Sequence, residues 1–275
     1  MSRNWRAGLR EAVGRVARDS PLVRRLERAL YRVNPEPIIV LGNQKAGTSA
    51  IAHLLADCCD LSKSVDIPEL WPPAIVRILN GEDSLAALAG RHPRPFSRDL
   101  IKEPHLTFVV PQVTELWPRA RCVFVVRDPR TNIRSILNRL RIPGDLTDFE
   151  VDDSAMPEAW KPIFDPELWG TDDHHYIGVL ADRWCLAARA YLQQPERMVL
   201  VRYEDFIAAK VQVIETIAGE VGLAAVRDIS GSVDVQYQPQ GDHSVSLEGF
   251  FGDAHLRMID EICHEEMRFF DYRRV

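Results

Sequence analysis

No apolar run in this 275-residue chain approaches the roughly 18 residues needed to cross a bilayer, which excludes a helical membrane span. The first residues lack the apolar stretch of a secretory signal. Cysteine is scarce and unpaired in pattern: five residues, at 58, 59, 122, 185 and 263, with no C-x-x-C spacing. An odd number so placed argues against a disulfide framework and against a structural zinc site. Free thiols in a reducing, cytoplasmic setting are expected instead. Internal repeats and low-complexity segments are also lacking.

What is present suits one large α/β domain: 46% hydrophobic and 27% charged residues. The net charge of −6 is unevenly spread. Residues 1–32 carry nine arginines against Glu11, Asp19 and Glu27, so the remainder is strongly acidic. An acidic body argues against nucleic acid as a partner. The first 34 residues form a basic arm, with Leu9, Val13, Val16, Val23, Leu26 and Leu30 at roughly helical spacing. Three readings stay open for it: a helix pair packed on the body, a peripheral contact with an anionic membrane or partner, and an arginine-rich presequence. Residues 35–275 read as a single large domain.

Within that domain strands and helices alternate. Strands are expected at 38–41, 99–102, 122–126 and 198–201. Helices are expected at 47–59, 70–79, 83–90, 106–117, 130–141, 178–193, 206–221 and 254–270. The alternation implies a three-layer α/β fold, a parallel sheet flanked by helices, whose ligands sit at the carboxyl ends of the strands. Residues 142–176 interrupt the pattern. They hold ten acids and one lysine, together with Phe149, Trp160, Phe164, Trp169 and Tyr176. The aromatics predict an ordered lid or acceptor-binding insert. The adjacent His174 and His175 read as solvated lid residues, since neighbouring side chains point apart. Residues 224–253 read as loop-rich.

The segment Ile38-Ile39-Val40-Leu41-Gly42-Asn43-Gln44-Lys45-Ala46-Gly47-Thr48-Ser49 reads as a buried strand, a glycine loop and a helix start. Such a turn aims backbone N–H groups and a helix N-terminus at one point, where a phosphate binds. Gly42 and Gly47 have the spacing of G-x-x-x-x-G-K-[ST], but Thr48 stands where the lysine of an ATP- or GTP-binding loop would be. The lysine is Lys45. It suits the stabilisation of charge on a leaving phosphate, with Ala46, Gly47, Thr48 and Ser49 offering close backbone approach and further donors. A second segment, Cys122 to Val126 followed by Arg127-Asp128-Pro129-Arg130, carries Ser135 eight residues after Arg127. Two more are Ile101-Lys102-Glu103-Pro104-His105 and Val201-Arg202-Tyr203-Glu204-Asp205-Phe206.

In this order, across residues 38–206, the four segments resemble those of sulfotransferases that use 3′-phosphoadenosine 5′-phosphosulfate (PAPS), in a bacterial form. The resemblance implies a P-loop-like nucleotide-binding core, PAPS as sulfuryl donor, 3′-phosphoadenosine 5′-phosphate (PAP) as product, and no metal. Lys45 to Ser49 would hold the 5′-phosphosulfate, Arg127 and Ser135 the 3′-phosphate, and Tyr203 would contact adenine. Arg130 and Arg134 would add supporting charge. Lys102 would contact the transferred sulfuryl group. The tryptophan that stacks on adenine in the cytosolic branch is Ala50 here, and the basic run of that branch's C-terminal loop is missing: Asp228 to Gly252 contains neither arginine nor lysine.

For the general base the resemblance offers Glu69, in Asp66-Ile67-Pro68-Glu69-Leu70-Trp71, with His105 as the alternative. Apolar neighbours of Glu69 are expected to raise its pKa. Ten carboxylates in the insert would repel a polyanionic acceptor, which favours a hydroxylated small molecule, a glycolipid or a natural product. Two rival readings stand beside this one. One is a P-loop nucleotide kinase or NTPase; the other is a nucleotide-binding module without turnover.

Overall fold

Every residue of β1 (Ile38–Gly42) is buried, and its alternate side chains feed two different cores. Successive side chains of a strand point to opposite faces, so a strand apolar throughout needs cover on both sides. The computed structural model describes residues 21–149, 156–171, 175–235 and 244–273. Of the basic arm it describes one helix, α1 (Pro21–Leu30). The expectations for residues 1–20, for Glu150, Asp152, Asp153, Asp172, Asp173 and His174, and for Gln236 to His243 lie outside the described residues.

From β1 the chain runs through α2 (Thr48–Cys58), β2 (Lys63–Val65), α3 (Ala74–Leu79), α4 (Leu85–Arg91), β3 (Leu100–Lys102), α5 (Val110–Leu116) and β4 (Arg121–Val126). Then come α6 (Pro129–Leu140), α7 (Pro166–Trp169), α8 (Tyr176–Leu192), β5 (Met198–Arg202), α9 (Tyr203–Ala208), α10 (Lys210–Glu220), α11 (Leu247–Ile262) and α12 (His264–Phe269). The sheet order is β2-β3-β1-β4-β5, all parallel, with Ile39 opposite both Ile101 and Cys122. Ile39, Leu41, Ile101, Phe124 and Val126 pack with apolar residues of α5, α6, α8 and α11. Ile38, Val40, Val123 and Val125 pack with those of α2 and α10 on the other face. The expected three-layer α/β fold is therefore the observed one.

Several boundaries differ from expectation, each for a local reason. β2 was not foreseen: it has three half-buried residues and pairs with β3 alone. The helix expected over 70–79 is a 3-10 turn at Pro68–Leu70 followed by α3, separated by Pro72 and Pro73, which have no N–H to donate. The expected 106–117 helix begins as a 3-10 turn at Pro104–Val109. At Ala209 the backbone leaves the helical region, splitting α9 from α10. The last helix starts early, capped by Ser246, whose hydroxyl accepts from Gly249 N–H; it kinks at Gly252, and Cys263 separates it from α12. In the insert, Phe149 packs on Phe164 and Tyr176 at 5.5 and 5.1 Å between ring centroids.

The parallel arrangement sends the carboxyl ends of β1, β3, β4 and β5 to one edge, which is where Lys45, Lys102, Arg127 and Tyr203 follow their strands. The turn out of β1 depends on Gly42, whose φ is 140°. A Cβ there would lie 2.4 Å from the carbonyl oxygen of Val125 on β4. Replacing Gly42 with alanine is expected to destabilise the fold by about 3 kcal/mol, because the contact is with backbone that cannot step aside. Urea unfolding of the variant tests this; an unchanged midpoint would show that β1 and β4 can separate without loss.

Candidate functional site

The loop from Gly42 to Gly47 is held from beneath by side chains. Gly42 N–H donates to the Thr107 hydroxyl at 2.8 Å, and that hydroxyl donates back to the Gly42 carbonyl at 3.2 Å. Asn43 Oδ1 accepts from Gln44 N–H at 2.9 Å, while Asn43 Nδ2 donates to Asn132 Oδ1 at 2.8 Å. Asn132 Nδ2 donates to the Gln44 carbonyl at 2.9 Å, and Arg127 Nη1 to the Lys45 carbonyl at 3.1 Å. Lys45 itself has φ 64°, a left-handed conformation rare for a lysine. The carbonyl oxygens of residues 43 to 45 are thus engaged by the protein, since Ala46 N–H donates to that of Asn43.

Helix α2 then begins at Thr48 behind Gly47, which offers no side-chain cap. The first N–H groups of a helix have no intrahelical acceptor, and with the helix dipole they favour an anion. Gly47 has φ 100°, and a Cβ on it would meet the Tyr203 ring at 2.3 Å. Tyr203 therefore lies directly over the loop. The Arg127 guanidinium stands 4.5 Å from the centre of that ring, and its Nε donates to Thr131 Oγ1 at 3.0 Å. Thr48 and Ser49 are buried, and Ser135 sits half-buried two turns along α6 from Arg127.

Positive charge dominates this corner. The Lys45 ammonium is pushed down to about 8, first by burial and then by Arg139, Arg127 and Lys102. Burial also lowers Arg127, against the opposing pull of Tyr203 and Glu204. The acids nearby are turned to other tasks. Asp128 caps α6 and holds Arg130 with Nε at 3.0 Å and Nη2 at 2.5 Å. Glu204 accepts from Asp128 N–H at 3.1 Å and from the Tyr272 hydroxyl at 2.7 Å. Arg134 Nη1 donates to the Val245 carbonyl at 3.1 Å, tying α6 to the segment before α11. Arg130 and Arg134 are thus engaged in supporting contacts.

Across the edge, Lys102 ends β3 almost wholly buried, and its Nζ meets Asp66 Oδ1 at 2.5 Å. Asp66 follows β2 in a left-handed conformation, and its side chain is 44% exposed. Glu103 is fully enclosed. It accepts from Ile67 N–H at 2.7 Å, from Trp71 Nε1 at 3.2 Å and from His105 N–H at 3.2 Å. His105 Nδ1 lies 2.7 Å from the same carboxylate, and its Nε2 lies 3.4 Å from Gln44 Nε2. Burial opposes ionisation of Glu103, but His105, Lys102 and the Ile67 N–H prevail and hold the carboxyl below its usual range. Glu69 lies half-buried in the 3-10 turn at Pro68–Leu70.

The site residues expected from the sequence fall at this one edge in two groups: Lys45 to Ser49, Arg127 and Tyr203 on the loop side, Lys102, His105 and Glu69 on the other. Sequence reasoning missed the side chains that hold the loop, namely Asn43, Gln44, Asn132, Thr107 and Arg183. It also passed over Asp66 as the carboxylate touching Lys102. A signal existed for two of them: Asn43 and Gln44 are polar residues directly after an apolar strand, in a stretch that must be buried.

A cationic loop at a helix N-terminus, opposite a lysine–carboxylate pair, can bind a phosphorylated or sulfated donor and set a hydroxyl beside it. Comparisons with known proteins point to one family. The family model described as "Sulfotransferase family" matches residues 79–228, more than half of the chain. Among solved structures, sulfotransferase STF9 from Mycobacterium avium is 15% identical with a TM-score of 0.53, covering 90% of this chain and 80% of that one. Mouse sulfotransferase SULT7A1 complexed with PAP is 14% identical with a TM-score of 0.53, covering 93% and 92%. The sulfotransferase domain from the curacin biosynthetic pathway is 13% identical with a TM-score of 0.50, covering 88% and 99%. No curated protein matches the sequence. At these identities the structural likeness speaks for the fold, and the family match over residues 79–228 settles the rest: this chain is a transferase enzyme and belongs to the sulfotransferase family.

Proposed function

We propose that the enzyme transfers the sulfuryl group of PAPS to a hydroxyl of a small-molecule, glycolipid or natural-product acceptor, by in-line displacement. The observation that carries this reading is Lys45, whose charge is disfavoured by burial and three neighbouring cations and would be restored by an anionic donor. That PAP accompanies a fold neighbour agrees with it. In this reading the uncapped start of α2 and the loop at 45–49 hold the 5′-phosphate, and the Lys45 ammonium stabilises charge as the S–O bond breaks. Arg127 and Ser135 hold the 3′-phosphate, and Tyr203, fixed between Gly47 and Arg127, presents its ring to adenine. No metal is invoked, because these cations already supply the neutralising charge.

For the base we choose Asp66 over Glu69. A general base must reach the acceptor hydroxyl where it meets the sulfuryl group. Asp66 is the carboxylate that touches Lys102, and Lys102 is close enough to Lys45 to depress it. His105 is given a holding role, since its ring is buried between Glu103 and Gln44. The insert, with Trp160, Phe164 and Trp169 among acids, is assigned to the acceptor. A cytoplasmic location suits five free cysteines, and no described helix is long and apolar enough to cross a membrane. Leu26 and Leu30 of α1 are 61% and 74% exposed, which supports a peripheral membrane contact through the arm.

Three outcomes are expected. First, PAP binds without magnesium, and Arg127→Ala weakens it by about 2 kcal/mol or more. At about pH 8.5 binding takes up protons, because free Lys45 is partly neutral above its lowered pKa and the ligand returns it to the charged form. Calorimetry in buffers of different ionisation enthalpy reads this uptake; it disappears in Lys45→Met. ATP–magnesium turnover in place of PAP binding would overturn the donor assignment. Second, Asp66→Asn lowers kcat by about a hundredfold or more, while Glu69→Gln costs less than about tenfold. The reverse order returns the role to Glu69. Third, the full-length protein floats with anionic liposomes and a form lacking residues 1–33 does not; equal flotation excludes the arm.

A further inference from the structure

We propose that Arg183 is the positioning residue of the donor loop and that, through Trp169, it ties the shape of this loop to the acceptor insert. This rests on the reading of residues 42–49 as the donor site. Arg183 lies in the middle of α8 with no exposed surface. Among the described residues it has no carboxylate partner and its Nε has no acceptor. Burial alone brings it down to about 9. An arginine so enclosed without a counter-charge is costly, and such groups persist where the surrounding structure uses them.

Its contacts show what it does. Nη1 donates to Asn43 Oδ1 and Nη2 to Gln44 Oε1. An amide has one acceptor end and one donor end. With Asn43 Oδ1 directed to Arg183, Asn43 Nδ2 is left to donate to Asn132, whose own Nδ2 reaches the Gln44 carbonyl. The arginine therefore sets the direction of the whole chain of amides on which the left-handed turn at Lys45 rests. It also places a positive charge one layer behind the loop, in low dielectric, where it favours an anion in front.

The other side of the guanidinium explains the link to the insert. Its carbon lies 4.2 Å from the Phe108 ring centre and 4.7 Å from that of Trp169, and the two rings are 4.7 Å apart. Phe108 follows β3, whereas Trp169 ends α7 within the insert, its Nε1 donating to the Pro162 carbonyl at 2.7 Å. Two aromatic faces replace the missing carboxylate as partners of the cation. One of them belongs to the segment assigned to the acceptor. Packing of α7 thus bears on the loop through a single side chain.

The test is PAP titration calorimetry on wild type, Arg183→Met, Arg183→Lys and Trp169→Leu, with thermal melts of each. Arg183→Met is expected to weaken PAP at least about tenfold, with partial recovery in Arg183→Lys, which keeps the charge but not the fork. Trp169→Leu, which leaves the arginine in place, is expected to weaken PAP several-fold although the residue belongs to the insert. This variant decides the coupling whether or not Arg183→Met folds. A purely structural role would lower the melting temperature and leave the affinity of the folded protein unchanged. Wild-type binding with unchanged PAP affinity in a folded Arg183→Met or in Trp169→Leu overturns this proposal alone. Absence of PAP binding by the wild type overturns the donor-site reading, and this proposal with it.

Discussion

Positive charge held in the interior is the constraint on which the rest of this structure depends. Lys45, Arg127 and Arg183 are each lowered from their ordinary pKa first by burial. A fold meets such a cost only with a large and well-packed core around it. Here the five-stranded sheet is covered on both faces, and the loop that carries Lys45 leaves its central strand. Central placement makes the charges costly to bury and strong toward an anion, since the same low dielectric acts in both cases.

The carboxylates around the site each have partners of their own, although Glu204 and Asp128 still pull on Arg127. Asp128 is taken by Arg130 and by the first turn of α6. Glu204 is taken by the Tyr272 hydroxyl, and Arg130 reaches back to the Arg273 carbonyl and lies 3.4 Å from Asp260. The C-terminal residues thus brace the Arg127 turn through Glu204 and Arg130. Glu103 is enclosed by His105, Trp71 and Ile67. Arg127 faces Tyr203, its guanidinium 4.5 Å from the centre of that ring.

The turn out of β1 was legible in the sequence because glycine and lysine spacing is local. Gly42, Lys45 and Gly47 stand within six residues, and each needs only its own backbone conformation to be recognised. The part that depends on distant partners was not legible. Arg183 stands in a helix whose neighbours are apolar, and sequence alone cannot tell a buried arginine from one that turns to solvent. Its partners are 139 and 140 residues away. Asp66 escaped notice because β2 did. A strand of Lys63, Ser64 and Val65 has no apolar alternation, so nothing marked the residue that follows it as a strand end facing the site. Proline decided the misread helices, at Pro72–Pro73 and again at Pro111, which has no N–H to give the Thr107 carbonyl, so the α-helix starts only at Val110.

The contact between Trp169 and Arg183 has a consequence for how such an enzyme can change its acceptor. In most α/β enzymes the nucleotide-binding turn belongs to the rigid scaffold, and specificity is varied in loops that do not touch it. Here the insert contributes one of the two rings that hold the arginine behind the donor loop. Its exposed acids Asp145, Asp148 and Glu158 lie outside α7, whereas Asp165 caps that helix by accepting from Leu168 N–H at 3.1 Å. Trp169, a buried residue of α7 whose indole N–H is already bound to Pro162, has a fixed orientation, so a change in the packing of α7 moves the ring and, with it, the partner of a buried charge. If residues 42–49 hold the donor and the insert holds the acceptor, as proposed, acceptor choice is free to vary on the exposed face of the insert and is bound to donor affinity on the buried one.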